Sequence, residues 1–202
     1  MTKTLNWSLM ALGALGIGGY ALVNTLVPGA RGDFVVDMIA TSAPGALLHF
    51  AAGGVVIIIG ALQFNAKLRA RHLSLHRNLG KLYVLGCLLG GFAGFYMAFF
   101  SFGGIVTHWG FGTLAVCWIL TTGMAYKHIR EGNVRIHQDW MIRSYALTLA
   151  ALTLRIYIPI SQIGGFSFEE SYQAISWMCW VPNLIVAEWF IIPRSNRKPV
   201  LS

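Results

Sequence analysis

Long apolar stretches separated by short polar connections run through the whole chain. A helix that crosses about 30 Å of hydrocarbon needs about 20 mostly apolar residues. Six stretches meet this requirement, at approximately 6–27, 44–65, 79–101, 104–127, 140–163 and 172–193. The pattern therefore predicts an all-α membrane protein with six transmembrane helices, of which helices two to five form a central four-helix bundle.

The first apolar stretch follows Lys3 in the manner of a secretory signal peptide, but it continues from Trp7 to Val27. That length exceeds a normal signal core, and no small-residue cleavage site closes it, so we expect a retained helix. The predicted organisation is a single membrane domain over 1–202. It divides into the first helix with an outer loop (1–43), the bundle (44–163), and the sixth helix with a basic tail (164–202).

Composition favours a membrane protein over a soluble domain. Hydrophobic residues make up 56% of the 202 residues and charged residues only 11%, whereas soluble domains are about 25% charged. The net charge is +8, but the cations lie in short connections between apolar stretches, so no nucleic-acid partner is predicted. Cys87, Cys117 and Cys179 each lie alone in an apolar stretch, which fits neither a disulfide framework nor a thiolate zinc site.

The basic residues predict the orientation of the chain. Twelve of the fifteen lysines and arginines fall on one side of the predicted spans: Lys3, Lys67, Arg69, Arg71, Arg77, Lys81, Lys127, Arg130, Arg135, Arg194, Arg197 and Lys198. The other side carries Arg31 among acidic residues such as Asp33 and Glu169. The positive-inside rule therefore predicts a multi-pass protein of the bacterial inner membrane with both termini in the cytoplasm.

Four histidines lie near the ends of predicted spans, in two pairs of matching depth. His49 and His108 open the second and fourth spans, which run in the same direction, so both are expected near the outer face. His76 and His137 come at the start of the third and fifth spans and are expected at the inner face. Imidazole is a common haem ligand, and helix bundles hold cofactors between facing helices. We therefore predict that each pair ligates the iron of a b-type haem.

Glycine follows three of these histidines at position i+4, on the same helical face. The three are Gly53 after His49, Gly80 after His76, and Gly112 after His108. Glycine removes the side chain beside the imidazole, so that a flat group or a second helix can approach. The three glycines are therefore predicted to contact the cofactor.

The two histidine pairs also repeat along the chain at a nearly constant spacing. His108 follows His49 by 59 residues, and His137 follows His76 by 61. A duplicated two-helix unit would produce such a spacing. One sequence leaves open whether the chain arose in that way.

Two arginines lie within the fifth predicted span, where charge is costly and needs a partner. Arg143 and Glu188 of the sixth span fall at similar depth, so Arg143 either forms a structural ion pair with Glu188 or binds a propionate of the inner haem. Arg155 lies about 18 Å further along its helix, with no acid at its depth. It is predicted to bind a propionate of the outer haem. The alternative is that it reaches the interface or caps helix-end carbonyls.

Other recognisable patterns have ordinary interpretations. His72 and His76 have the i, i+4 spacing of a metal pair, but the surrounding cations favour a solvated loop position for His72, as for His128. Gly86, Gly90 and Gly94 form overlapping GxxxG steps, which predict close packing of helices. No phosphate-binding loop, hydrolase motif or HExxH is present. Any enzyme activity would therefore be that of a membrane oxidoreductase.

Two runs of sequence resemble a known family. HRNLGKLYVLG (76–86) and HQDWMIRSYALTLAALTLR (137–155) resemble a bacterial family of integral membrane proteins called domain of unknown function 2306, over about residues 45–160. That resemblance implies a fold and no activity. The architecture is also similar to that of cytochrome b561-type proteins, which hold haems between helices two and four and between helices three and five. This similarity implies the same two histidine pairs as axial ligands.

These observations predict a b-type haem protein that moves electrons within or across the bilayer and exchanges them with a quinone or another redox partner. Two alternatives stay open from the sequence. One is a small transporter in which Arg155 binds an anionic substrate and the histidines couple to protons. The other is a structural subunit, acting as a homodimer or within a larger membrane complex.

Overall fold

The computed structural model describes residues 2–193, and the side chains of residues 5–193. Within that range every regular element is helical. The elements are α1 (Thr2–Leu26), a short 3₁₀ turn (Pro28–Ala30), α2 (Asp33–Gln63), α3 (Ala66–Arg71), α4 (Leu73–Ala98), α5 (Ile105–Arg130), α6 (Val134–Thr148), α7 (Ala150–Ile163), α8 (Phe168–Met178), α9 (Val181–Val186) and a π-helical turn (Ala187–Ile191).

Six helices of the described chain are long and apolar enough to cross a membrane. They are Leu5–Leu26, Asp33–Gln63, Leu73–Ala98, Ile105–Arg130, Val134–Ile163 and Phe168–Ile191. The prediction of an all-helical, multi-pass membrane protein with six spans is therefore confirmed. The cytoplasmic position of the termini stays a prediction, as does a bundle of helices two to five. The basic tail residues Arg194, Arg197 and Lys198 lie outside the described residues.

The second span differs most from its predicted bounds, because α2 begins at Asp33 rather than at 44. Asp33 lies in the first turn, where a carboxylate is favourable beside the helix dipole. The helix bends at Ser42 (φ −145°, ψ 39°), two residues before Pro44. The Ser42 hydroxyl donates to the Met38 carbonyl of the preceding turn at 2.9 Å. His49 consequently lies in the middle of this bent helix, seven residues after the bend at Ser42.

The fifth and sixth spans are each broken part of the way along. In the fifth, α6 ends at Thr148 and α7 begins at Ala150. In the sixth, α8 ends at Met178 and α9 begins at Val181, with Trp180 in a non-helical conformation. Pro182 lies in the first turn of α9 and has no N–H to continue the hydrogen bonds of α8. Both breaks expose backbone groups that need other partners.

The chain divides into two compact units, one up to Phe100 and one from Ser101 onward. In the first unit α2 packs against α1 and α4, and α3 contacts α2 and α4. In the second unit α5 packs against α6 and α8, and α7 packs against α8. Each unit contributes three of the six spans. The predicted single domain and its three-part division stay predictions.

Candidate functional site

His49 of the first unit is held in a fixed orientation by α4. Its Nδ1 donates to the Gly90 carbonyl at 2.8 Å, and because a carbonyl only accepts, Nδ1 carries the ring proton. One turn further along α4, a Cβ on Gly94 would lie 2.9 Å from the same nitrogen. Because Gly90 and Gly94 have no side chains, the imidazole can lie against the backbone of α4. In the neutral ring the lone pair belongs to Nε2.

The glycine stripe of α4 does more than join two helices. At Gly86 a Cβ would overlap Val56 Cγ1 of α2, so this position gives the close helix packing that the GxxxG pattern predicts. Gly90 and Gly94, on the same stripe, instead accommodate His49. The sequence shows the stripe but not the register of α2 against α4. For that reason the contact with His49 could not be predicted.

His137 of the second unit is oriented in the same way. It lies in the first turns of α6, and its Nδ1 donates to the Ala125 carbonyl of α5 at 2.8 Å. The α5–α6 hairpin that brings them together turns through Gly132, whose φ of +79° is strained for other residues. Ala125 is fully buried. The lone pair of neutral His137 is therefore also on Nε2.

The other two predicted ligands differ from His49 and His137. The His108 ring uses its opposite nitrogen, because Nε2 donates to the Ser101 carbonyl at 3.1 Å. Its lone pair is consequently on Nδ1. His76 lies half-buried in the first turn of α4. The pairing of His49 with His108 and of His76 with His137 stays a prediction.

The three glycines that follow histidines have different surroundings. A Cβ on Gly53 would meet nothing within 4 Å, so the space one turn after His49 is open. A Cβ on Gly80 would make an ordinary contact, 3.6 Å from Gln63 Oε1. Gly112 is buried in α5. Gly53 is therefore the position with the most evident room for a flat group.

Arg143 forms the ion pair that the sequence left open. Its Nε and Nη2 donate to the two carboxylate oxygens of Glu188, at 2.5 Å and 3.0 Å. The guanidinium also lies over the Trp140 ring, 4.6 Å from its centroid. Glu188 stands in the π-helical turn, a deformation often found at functional sites. A propionate at Arg143 would have to compete with this bidentate pair.

Arg155 of α7 makes a contact within its own helix. Its Nη1 donates to the Ala151 carbonyl, one turn earlier, at 3.0 Å. The sequence left helix-end carbonyls or the interface as the alternative to an anionic ligand, whereas Ala151 lies in the first turn of α7. The Arg155 side chain is half-buried. Its role toward a propionate stays a prediction.

Buried hydroxyl groups join α5 to α6, and these contacts were not predicted from the sequence. Thr122 Oγ1 and Ser144 Oγ lie 2.7 Å apart, and Trp118 Nε1 donates to Thr148 Oγ1 at 2.9 Å. Thr122 and Ser144 are fully buried. Polar residues inside apolar spans were the available signal, since such residues commonly bond neighbouring helices.

A second polar cluster stands where the fifth and sixth spans break. Asn183 Nδ2 lies 3.1 Å from both the Ala146 and Cys179 carbonyls and 3.2 Å from Thr153 Oγ1. The Thr153 hydroxyl itself donates to the Cys179 carbonyl at 2.5 Å. These contacts take up carbonyls that the breaks release. Asn183 is thereby the central residue of the cluster.

The remaining histidines lie at the surface or beside an acidic side chain. His72 is exposed between α3 and α4, and His128 Nδ1 lies 3.2 Å from Glu131 Oε2. Among residues 2–193 no three His, Cys, Asp or Glu side chains form a group that could hold a metal ion. A haem needs only imidazole ligands on its iron, so this finding does not bear on haem binding.

Comparison with known proteins identifies a family. The family model described as a predicted membrane protein (DUF2306) matches residues 46–191. No match was found among curated proteins or among solved structures. The match confirms the resemblance to domain of unknown function 2306 and extends it from about residue 160 through the sixth span.

Proposed function

We propose that this chain, which belongs to the family of predicted membrane proteins DUF2306, binds b-type haem and transfers electrons in the membrane. The observation that carries the proposal is shared by two histidines. His49 and His137 each donate Nδ1–H to a helix carbonyl at 2.8 Å. They stand in different units, and each belongs to a different predicted pair.

A fixed Nδ1–H is typical of metal-ligating histidines. Such ligands usually donate their second ring nitrogen to a carbonyl or carboxylate, which sets the tautomer and makes the ligating nitrogen more basic. Nε2 of His49 and of His137 then has the lone pair that iron requires. The open space at Gly53 adds room beside His49. The residues present therefore fit a haem, with Arg143 and Arg155 as candidate partners for propionates and with Gly80 and Gly112 as further candidate contacts.

A bound haem would supply one-electron chemistry, and the chain would set its environment. His49 and His137 would be ligands, and His76 and His108 would complete the two pairs. We propose the bacterial inner membrane as the location and a quinone or soluble redox protein as the partner. Burial in apolar helices would exclude water, and the low local dielectric would set the reduction potential of the haem iron.

The proposal is tested by visible spectroscopy of the full chain purified from haem-replete cells. We expect a Soret band and a reducible α-band, each weakened by His49→Ala and by His137→Ala. His72→Ala is the matched control, because His72 is exposed between α3 and α4, and it should leave the spectrum unchanged. A folded but colourless wild-type protein would show that the two hydrogen bonds serve helix packing alone.

A second variant tests the contact between His49 and Gly94 directly. Gly94→Ala places a methyl group 2.9 Å from His49 Nδ1 and 3.1 Å from Cε1, so the ring must turn. We expect the α-band to shift or broaden while the chain keeps its helical content. The same spectrum for Gly94→Ala and wild type would remove His49 from the ligand set.

The broken spans favour transport as a second candidate function. Interrupted helices near the middle of the membrane commonly form substrate sites in transporters. Here Asn183 and Thr153 stand at both interruptions, and Arg155 follows on α7. Uptake of an anion into liposomes that persists in His49→Ala and is lost in Asn183→Ala would favour this function over electron transfer.

A further inference from the structure

The corner between α2 and α4 in the first unit carries an uncompensated positive charge. Five cations lie on α3 and the first turns of α4: Lys67, Arg69, Arg71, Arg77 and Lys81. All are exposed except Arg69, which is half-buried. The sequence has no Asp or Glu between Asp37 and Glu131. We name this group of five residues the basic corner.

The acids of the first unit are too far away to pair with the basic corner. Asp33 and Asp37 lie in the first turns of α2, and the corner follows the last turn of the same helix. At 1.5 Å per residue, the distance from Asp37 to the end of α2 is about 39 Å. That is several times the Debye length of about 8 Å at physiological salt. Within the described first unit, the corner therefore lacks an acidic partner.

The corresponding connection of the second unit is built differently. Lys127 Nζ lies 4.0 Å from Glu131 Oε1, and Arg130 Nη1 donates to the Tyr126 hydroxyl at 3.2 Å. The Arg130 guanidinium also lies over the Tyr126 ring, 6.0 Å from its centroid. These cations have partners in the last turns of α5 and at its C-cap residue Glu131. The second connection is thus a matched control for the first.

An apolar stripe on α4 begins at the basic corner. Its exposed side chains follow one another at helical spacing: Leu75, Leu82, Leu85, Leu89 and Phe92. Arg77, Lys81 and Leu85 are spaced four apart and therefore lie on one face of the helix. Phe92 is 64% exposed, although it is large and apolar. A cationic end and an adjoining apolar stripe match the two parts of a phospholipid.

We propose that the basic corner binds the phosphate of an anionic phospholipid, whose acyl chains lie along the α4 stripe. Arginine suits this role because its planar fork donates to two phosphate oxygens at once. Juxtamembrane cations are attracted to anionic lipid and add to one another near the surface. The short helix α3 holds three of the five cations, and the Asn65 side chain caps it by accepting from Leu68 N at 3.0 Å.

The test is lipid binding to the full chain in a neutral detergent, measured by native mass spectrometry. We expect phosphatidylglycerol to bind at least about tenfold more tightly than phosphatidylcholine of the same chains. The variant Arg69→Gln/Arg71→Gln/Arg77→Gln should weaken phosphatidylglycerol binding about 100-fold, at roughly fivefold per cation. The control Lys127→Gln/Arg130→Gln should change it by less than about twofold.

Three outcomes would overturn the proposal. They are equal binding of the two lipids, equal losses in the two variants, and binding of glycerol phosphate as tight as that of the intact lipid. The last result would indicate a site for a soluble anion. Should the glutamine variant fail to fold, Arg69→Lys/Arg71→Lys/Arg77→Lys keeps the charge but not the planar fork, so it should still prefer phosphatidylglycerol while binding it less tightly than wild type. Wild type should lose that preference in 1 M NaCl, where the Debye length is about 3 Å.

Discussion

The two units hold their helices together by different means. In the first unit the contacts depend on glycine: a Cβ on Gly18 would lie 2.6 Å from Ile58 Cγ1 and 2.8 Å from the Gly54 carbonyl oxygen. Gly86 and Gly94 of α4 admit side chains of α2 in the same way. Close approach of backbones then gives the dispersion contacts that associate helices in lipid.

In the second unit one such contact occurs where Gly110 of α5 meets Ser176 of α8, but side-chain hydrogen bonds have the larger part. Ser144 and Thr148 of α6 bond Thr122 and Trp118 of α5. Arg143 adds the ion pair with Glu188. Since lipid offers no competing water, polar contacts can replace some of the close packing. The two units have histidines at a similar spacing, but they hold their helices together by different interactions.

The 61-residue spacing of His76 and His137 allows single positions of the two units to be compared. At that offset Gly90 corresponds to Ala151, and Gly94 corresponds to Arg155. The Gly90 carbonyl receives the His49 imidazole, whereas the Ala151 carbonyl receives Arg155 of its own helix. The Gly90 and Ala151 carbonyls thus both accept a side-chain hydrogen bond, but the donors are different kinds of residue. An origin by duplication stays a prediction.

The largest expected effect tests the glycine contacts of the first unit. Gly18→Ala should destabilise the protein by about 3 kcal/mol, because the new methyl group meets the Gly54 backbone, which cannot move aside. Gly19→Ala is the control: its Cβ meets nothing within 4 Å, and alanine favours the helix. Unfolding by SDS in mixed micelles, followed by far-UV circular dichroism, measures both. Equal midpoints would mean that α1 and α2 do not depend on close approach at Gly18.

The ion pair of the second unit gives the next largest effect. Arg143→Gln leaves Glu188 without its bidentate partner and should cost about 2 kcal/mol, a value reduced from that of a fully buried pair because Glu188 is 41% exposed. Glu188→Gln alone should behave similarly. The double variant should recover about half of the summed loss if the two residues act on each other. Strict additivity in the same unfolding assay would deny the coupling.

Apolar length made the spans predictable, but their bounds depended on local chemistry. α2 starts at Asp33, where an acid suits the first turn, and it bends at Ser42 shortly before Pro44. From the sequence, Pro44 instead resembled a start. α6 begins at Val134 because the polar residues after it can be helical outside the apolar region. Hydropathy reports burial in lipid and not the ends of hydrogen-bonded helices.

The candidate site was predictable only in part. The matching depth of Arg143 and Glu188 followed from their positions along two spans, and the ion pair is present. The partner of His49 depends on the axial and rotational register of α2 against α4, which no local pattern encodes. The partner of His137 depends in the same way on the α5–α6 hairpin. Residue types thus indicated the chemistry, and packing decided which atoms meet.

A smaller effect tests the hydroxyl contacts of the second unit. Thr148→Val removes the acceptor of the buried Trp118 N–H and should cost about 1 kcal/mol. Thr121→Val is a matched control, since Thr121 is also buried but donates only to carbonyls of its own helix, at Cys117 and Trp118. The difference between the two variants in the SDS assay isolates the contact between helices. Equal costs would assign the loss to the hydroxyl's own helix.

The smallest expected effect concerns a polar contact in the unit that otherwise depends on glycine. Trp7 of α1 donates its Nε1–H to the Ala61 carbonyl of α2 at 2.9 Å. Trp7→Phe keeps most of the ring and removes this donor, so it should cost about 0.5 kcal/mol, as is usual for single hydrogen bonds in membranes. Trp109→Phe is the control, because Trp109 is 66% exposed. If Trp7→Phe costs as much as Gly18→Ala in the same titration, polar bonding is as important in the first unit as in the second, and the contrast between the units is lost.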